Sequence, residues 1–92
     1  MNHQVNITYC TGCNWLPRSC WMAQELLYTF AEEPIQVTLI PEREEKGTFR
    51  IELNENLVWC RSRNRGFPDA KTLKQRIRDL VNPERDLGHA EA

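Results

Sequence analysis

The sequence lacks any apolar run that approaches the ~20 residues of a membrane-spanning helix. Its first residues, Met1 to Gln4, are not a basic start followed by an apolar stretch, so we expect no secretory signal. It also lacks internal repeats and low-complexity linkers, and its formal net charge of −1 indicates no particular class of partner. These absences favour a cytoplasmic protein that does not contact a membrane.

What the sequence contains is typical of one soluble domain. Its 92 residues are 40% hydrophobic and 27% charged, which are ordinary proportions for a globular chain. We predict a folded domain over residues 1–83 and a flexible C-terminal tail over residues 84–92.

Alternation of apolar and polar residues predicts three β-strands, and the run Leu57, Val58 and Trp59 after a turn predicts a fourth. The predicted strands are residues 5–10, 35–39, 49–53 and 57–59. Asn54, Glu55 and Asn56 can form a tight turn between the last two strands, because asparagine tolerates a positive φ. Residues 61–66 follow as a basic loop.

Apolar residues spaced by three and four predict two helices. The first would either begin near Asn14, with Pro17 in its first turn, or begin earlier with a kink at Pro17. It would bury the stripe Leu16, Cys20, Ala23, Leu27 and Phe30, and Trp15, Met22 and Leu26 would widen that face. The second would begin at Pro68 and end at Asn82, because the residue before a proline disfavours helical dihedrals. Its buried stripe would be Ala70, Leu73, Ile77 and Leu80.

The predicted order of elements is therefore β-α-β-β-β-α. The first two strands bracket a helix and should be parallel with a right-handed crossover, whereas the last two should form an antiparallel hairpin. This order predicts an α/β fold of the two-layer α+β kind, with both helices packed on one four-stranded mixed sheet.

Cys10 and Cys13 lie where the first strand meets the first helix. A Cys-x-x-Cys turn can bring two sulfur atoms together, and the free N–H groups of a helix start favour a thiolate. The thiolate is the species that attacks a disulfide. Since structural disulfides are rare in a reducing compartment, the context favours Cys10 and Cys13 as catalytic residues in thiol–disulfide chemistry.

Zinc binding is the main alternative for these cysteines. A structural zinc site takes four ligands, and the sequence has no second Cys-x-x-Cys pair. Cys20 and Cys60 would have to join Cys10 and Cys13, although Cys20 belongs to the apolar stripe of the first helix. We therefore favour redox chemistry without a metal, and we expect Cys20 to pack in the core. Cys60 could be half-buried at the end of its strand or an additional reactive thiol, and packing is favoured.

A basic segment runs from Arg61 to Arg78, with seven basic residues against the single acid Asp69. Such a segment could hold an anion, a phosphate backbone or an acidic partner. Its helical members lie opposite the apolar stripe, which favours a solvated helix face, and we predict no nucleic-acid binding. Trp15 and Trp59 could either flank the cysteine pair as a docking surface or pack in the core.

Several segments together resemble the SelW/SelT/SelH (Rdx) family, especially its bacterial selenoprotein W-like members. The resemblance covers about residues 4–82 and rests on VNITYCTGC (5–13), GTF (47–49), VW (58–59), GFPDAK (66–71) and LKQRIRD (73–79). It implies a thioredoxin-like fold and a thiol-based redox role. It also implies protein thiols or disulfides as partners, or glutathione as a co-substrate, and no other cofactor.

The resemblance leaves the attacking sulfur open. Cys13 stands where selenoprotein members carry selenocysteine, which favours Cys13, whereas the comparison with thioredoxins favours Cys10 because the first cysteine of such a turn is usually more exposed. Thioredoxins also place a cis-proline opposite the motif, and the corresponding segment here, residues 46–49, contains no proline. A binding module whose cysteine pair only senses the redox state is a further alternative.

Overall fold

Four strands form one mixed sheet in the order β2-β1-β3-β4 in the computed structural model, which describes residues 2–85. The strands are β1 (His3–Cys10), β2 (Ile35–Glu42), β3 (Phe49–Leu53) and β4 (Asn56–Cys60). The helices are α1 (Leu16–Thr29), α2 (Arg61–Asn64) and α3 (Ala70–Val81). The predicted two-layer architecture with a four-stranded mixed sheet is confirmed.

The strand pairings follow from the connections between them. β1 and β2 bracket α1 and are parallel, with Val5 opposite Val37, whereas β1 pairs antiparallel with β3, with Ile7 opposite Ile51. β3 and β4 form an antiparallel hairpin with an irregularity between Ile51 and Glu52. β1 and β2 therefore end, and β3 begins, at the edge of the sheet where Cys10 lies.

The hairpin turn has the geometry that its residues predict. Asn54 and Glu55 adopt φ values of 50° and 72°, so both central residues have the positive φ of a type I′ turn. The side chain of Asn54 accepts a hydrogen bond from the backbone N–H of Gln4 at 2.9 Å, and this ties the turn to the start of β1.

One face of the sheet carries the hydrophobic core. The core joins side chains of the sheet to those of α1 and α3, and its fully buried members include Val5, Ile7, Ile51, Met22, Leu26, Phe30 and Ile77. The opposite face is polar: Gln4 Nε2 donates to Thr38 Oγ1 at 2.8 Å and to Asn6 Oδ1 at 3.0 Å. The core therefore lies between the sheet and the helices.

The predicted buried face of α1 is confirmed for Phe30, Met22 and Leu26 and wrong for Leu16, Cys20 and Leu27. Leu27 is 45% exposed, and Leu16 and Cys20 are exposed as well, whereas Ser19, Met22 and Leu26 are buried. Ser19 can be buried because its hydroxyl donates to the carbonyl of Trp15 at 2.9 Å. The helix thus has apolar residues on two faces, and spacing alone could not show which face packs on the sheet.

The second half of the chain differs from the sequence prediction in three ways. Residues of the predicted basic loop form the short helix α2, and α3 is capped by Asp69, whose carboxylate accepts from the N–H of Thr72 at 2.7 Å, instead of starting at Pro68. Leu80 is 51% exposed and leaves the predicted buried stripe. The end of α3 before Pro83 is confirmed.

The cations of α3 are not simply solvated. Lys74 Nζ lies 2.7 Å from Glu25 Oε1 of α1, and the guanidinium of Arg76 stacks 4.8 Å from the ring centroid of Trp59 while donating to the carbonyl of Val58 at 3.1 Å. The interpretation as a solvated face is therefore wrong for Lys74, whose side chain is 16% exposed, whereas Arg76 is exposed but also connects α3 to β4.

The predicted C-terminal tail lies outside the described residues from residue 86 onward. Arg85, at its start, donates to Glu33 Oε2 at 2.9 Å and to the carbonyl of Thr29 at 2.8 Å. Within residues 2–85, no helix is long and apolar enough to cross a membrane.

Candidate functional site

The two cysteines of the motif lie at the end of β1 and in the turn that follows it. Cys10 is the last residue of β1, and Thr11–Cys13 form one turn of 3₁₀ helix. Asn14 then adopts a left-handed φ of 60°, and α1 begins at Leu16 with Pro17 in its first turn, where a missing N–H costs no hydrogen bond. The predicted helix start at Asn14 is therefore wrong, and a non-helical break separates the dithiol from α1.

The turn brings the two sulfur atoms together. Cys13 Sγ lies 2.6 Å from Cys10 Sγ, and both residues are free thiols, since a disulfide bond would measure about 2.05 Å. Cys10 is buried, with 2% of its surface exposed, whereas Cys13 is half-buried. The expectation that the first cysteine is the more exposed one is therefore wrong for this chain.

The hydrogen bond between the thiols makes them unequal. Cys13 donates to Cys10 Sγ, which lowers the pKa of Cys10, and the backbone N–H groups of Gly47, Gly12 and Cys13 lower it further against the opposing effect of burial. The same hydrogen bond raises the pKa of Cys13, and burial adds to that effect. When the pair holds one proton, the negative charge therefore resides on Cys10 and the proton on Cys13.

Gly47 supplies a donor that comes from a distant part of the sequence. Its N–H lies within reach of both sulfur atoms, and the adjacent carbonyl of Thr48 accepts from the N–H of Cys10 at 2.8 Å. Gly47 has a φ of +81°, which a side chain would disfavour, although a Cβ there would meet no atom within 4 Å. Residues 46–49 thus face the motif, as the family resemblance implied, with a glycine amide opposite the thiols.

A carboxylate neighbours Cys10 across the sheet. Glu42 is the register partner of Cys10 in β2, and its Oε2 accepts from the N–H groups of Glu44 and Glu45, both at 3.1 Å. These backbone donors lower the pKa of Glu42, so it is ionised at neutral pH. It is therefore no proton donor for the thiols.

The two tryptophans have different environments. Trp59 is buried, and its Nε1 donates to the carbonyl of Gly66 at 2.8 Å, so it belongs to the core. Trp15 is half-buried and lies edge-on to Phe67, with ring centroids 5.0 Å apart. Only Trp15, two residues after Cys13, remains a candidate for contact with a partner of the dithiol.

Of the other two cysteines, Cys20 does not lie where it was predicted. Cys20 is exposed on the outer face of α1 instead of packing in the core. Cys60 is half-buried; the Ser62 hydroxyl, 3.4 Å from its sulfur, and the N–H of Arg63 lower its pKa. No three His, Cys, Asp or Glu side chains come together as metal ligands anywhere in residues 2–85, so the four-cysteine zinc site lacks its geometry there.

Fold and site together define a class: thioredoxin-like proteins with a pair of free thiols in the turn after the first strand. The chain belongs to the Rdx family, whose model matches residues 4–79. None of the curated proteins matches this sequence.

Two solved structures are similar to the whole domain. A selenoprotein W-related protein from Vibrio cholerae is 47% identical over 89% of this chain and all of its own, with a TM-score of 0.83. A protein from Bordetella parapertussis is 46% identical over 88% of this chain and all of its own, with a TM-score of 0.82. These similarities confirm the thioredoxin-like fold and support a redox type of function.

Proposed function

We propose that this protein is a cytoplasmic thiol–disulfide oxidoreductase in which Cys10 and Cys13 cycle between a dithiol and a disulfide. The observation that carries the proposal is the hydrogen-bonded thiol pair, 2.6 Å between sulfur atoms, with the Gly47 N–H beside both of them. A pair so close can close a disulfide without large movement of the backbone. Protein disulfides or glutathione disulfide are the substrates.

Exposure assigns the first attack to Cys13. A substrate disulfide must reach the attacking sulfur, and Cys13 is the half-exposed member of the pair whereas Cys10 is buried. The proton of Cys13 passes along the existing hydrogen bond to Cys10, and the Cys13 thiolate attacks the substrate. A mixed disulfide forms at Cys13, and the first substrate thiolate leaves.

Cys10 completes the reaction. It loses its proton, and its thiolate attacks Cys13 Sγ of the mixed disulfide; the second substrate thiol leaves with that proton. The N–H groups of Gly47 and Gly12 stabilise the Cys10 thiolate before this attack. In sum, the singly protonated pair gives two electrons and one proton to the substrate disulfide, and the first substrate thiolate takes its proton from water. Thiols such as glutathione reverse the reaction.

Trapping of mixed disulfides tests both the activity and the roles. Cys20→Ser and Cys60→Ser form the background, since Cys20 is an exposed thiol that would otherwise form adducts. In that background, Cys10→Ser should accumulate a mixed disulfide with oxidised glutathione at Cys13, measured by mass spectrometry. Cys13→Ser should react much more slowly because Cys10 is buried.

The variant with both Cys10 and Cys13 replaced by serine is the control. If neither single variant forms more adduct than this control, the redox function is wrong. If Cys13→Ser reacts faster than Cys10→Ser, the activity stands but the two roles are exchanged.

A further inference from the structure

An aromatic cluster adjoins the dithiol. Trp15, Phe49 and Phe67 meet edge-to-face, with ring centroids 5.0 Å apart for Trp15 and Phe67 and 4.8 Å apart for Phe49 and Phe67. Trp15 follows Cys13 by two residues, and Phe49 follows Gly47 by two residues. Both chain segments that form the thiol site therefore continue directly into this cluster.

Two arginines from different elements stack on the same cluster. The guanidinium carbon of Arg18, in α1, lies 4.3 Å from the centroid of Phe67. The guanidinium carbon of Arg61, in α2, lies 4.8 Å from the centroid of Trp15 and 5.7 Å from that of Phe67. Both arginines therefore contact Phe67, and the charge of Arg61 also acts on Cys13.

Neither charge is neutralised within residues 2–85. Arg50, Lys74, Arg78 and Arg85 each form an ion pair with a carboxylate, but Arg18 and Arg61 form none there. Arg61 Nε is also buried without a hydrogen-bond partner in this part of the chain, which is unusual for a buried polar atom. Stacking thus holds the guanidinium of Arg61 in place while leaving its charge unpaired.

The charge of Arg61 acts on the sulfur that is accessible to a substrate. The hydrogen bond to Cys10 and burial raise the pKa of Cys13, and the positive charge of Arg61 opposes this rise. A guanidinium near the attacking sulfur would equally attract an anion carried by the incoming disulfide, since arginine binds carboxylates with two parallel hydrogen bonds.

We propose that Arg61 and Arg18 form a carboxylate-binding site that selects disulfides bearing a carboxylate close to the sulfur. The inference rests on the proposed function and adds a substrate class to it. In the half-reaction, the Cys13 thiolate forms a bond to one substrate sulfur while the carboxylate lies against Arg61. The substrate S–S bond breaks, and the second half leaves as a carboxylate-bearing thiolate.

Three small aliphatic disulfides of similar size test the selection. Dithiodipropionate carries two carboxylates, hydroxyethyl disulfide is neutral and cystamine carries two ammonium groups. The reduced protein, in the Cys20→Ser and Cys60→Ser background, is mixed with each, and the rate of dithiol oxidation is divided by that of dithiothreitol with the same reagent. This ratio removes the intrinsic reactivity of each disulfide.

The protein that retains Arg18 and Arg61 should be oxidised faster by dithiodipropionate than by cystamine. Arg61→Gln should lower this ratio of rates about fivefold, because one contact between unit charges in water is worth about 1 kcal/mol. Arg61→Lys keeps the charge and should retain most of the ratio. Added salt screens the charges and should also lower the preference for dithiodipropionate over cystamine. Arg65→Gln removes an equal charge from the exposed Arg65 of the neighbouring segment, and it should change the preference by less than about twofold.

The outcomes separate the inference from the proposed function. An unchanged preference in Arg61→Gln would overturn the carboxylate site. An equal loss of rate with hydroxyethyl disulfide would overturn it too, because Arg61 would then act on the thiol or on the fold and not on the carboxylate of the substrate. If none of the three disulfides oxidises the dithiol, the proposed function itself is wrong.

Discussion

The two ends of α1 use the same contact for different purposes. At its start, Arg61 stacks on Trp15 with its guanidinium carbon 4.8 Å from the ring centroid, and at its end Arg85 stacks on Phe30 at 5.4 Å. Arg85 also binds the carboxylate of Glu33 and the carbonyl of Thr29, whereas Arg61 binds no carboxylate within residues 2–85. We call these regions the thiol end and the anchor end.

The comparison of Arg85 with Arg61 shows what makes an arginine stabilise the fold and what leaves its charge available to a ligand. At the anchor end, the guanidinium of Arg85 stacks on the ring of Phe30, and its N–H groups donate to oxygen atoms of Glu33 and Thr29. At the thiol end, the guanidinium of Arg61 stacks on Trp15 but pairs with no carboxylate within residues 2–85. Residues at the anchor end should therefore contribute mainly to stability, and those at the thiol end mainly to reactivity.

The largest contrast is expected for the aromatic residues on which the arginines stack. Phe30 is fully buried, so Phe30→Ala should lower the free energy of unfolding by about 3–5 kcal/mol. Phe67 is only half-buried, and Phe67→Ala should cost less than half as much. Urea unfolding of the reduced protein measures both, and equal losses would contradict the distinction between the two ends.

The arginines themselves should show an intermediate contrast. Arg85→Ala removes two hydrogen bonds and leaves Glu33, whose side chain is 14% exposed, without its cation; we expect a loss of about 1.5–2 kcal/mol. Arg61→Ala loses one stacking contact and also removes a buried nitrogen without a partner, so its cost should stay below about 1 kcal/mol.

Arg85→Ala should cause the larger loss of unfolding free energy, and Arg61→Ala should cause the larger loss of the disulfide-exchange rate. Arg85→Ala should leave the rate of oxidation by dithiodipropionate unchanged in the folded protein, whereas Arg61→Ala should lower it. An Arg85→Ala variant as slow as Arg61→Ala would show that the two ends are not independent.

The smallest effect is the pH dependence of stability at the thiol end. The pKa of Cys10 is lowered by the hydrogen bond from Cys13 and then by the Gly47 N–H, so its stabilising contribution is complete above the ordinary value of about 8.5 and is lost as the pH falls through the folded value. The pKa of Cys13 is raised, so its contribution is complete below about 8.5 and is lost as the pH rises through its folded value.

Together the two thiols should stabilise the reduced fold most near pH ~8.5 and less on either side. The measurement is the unfolding free energy of the reduced protein minus that of the Cys10→Ser, Cys13→Ser double variant, followed from neutral to alkaline pH. A difference that decreases steadily from neutral pH would contradict the assigned directions.

The sequence predicted the sheet better than the helices. Period-two alternation identifies β1, β2 and β3, and the apolar run of residues 57–59 identifies β4. The buried face of α1 was predicted only in part, since Leu16, Cys20 and Leu27 are spaced as regularly as the buried residues but are exposed. The burial of Ser19 depends on a hydrogen bond to the carbonyl of Trp15, which the apolar pattern does not show.

The site was predicted in part for a similar reason. Cys10 and Cys13 are neighbours in sequence, so their proximity follows from a local turn. Gly47 and Arg61 reach the thiols only through the pairing of β3 with β1 and the path of the chain after β4. Arg61 was visible as part of a basic segment, but its stacking on Trp15 depends on tertiary structure.

The hairpin turn at Asn54 and Glu55 is bonded to the start of β1, whereas Cys10 is the last residue of that strand. Cys10 follows Gln4 by six residues along the strand, which corresponds to a distance of about 20 Å. Tight exposed turns of this kind tolerate insertion. A fluorophore, an affinity tag or a surface linkage attached at this turn would leave the dithiol accessible to the solution. The turn is therefore a suitable attachment site for making a redox probe from this domain.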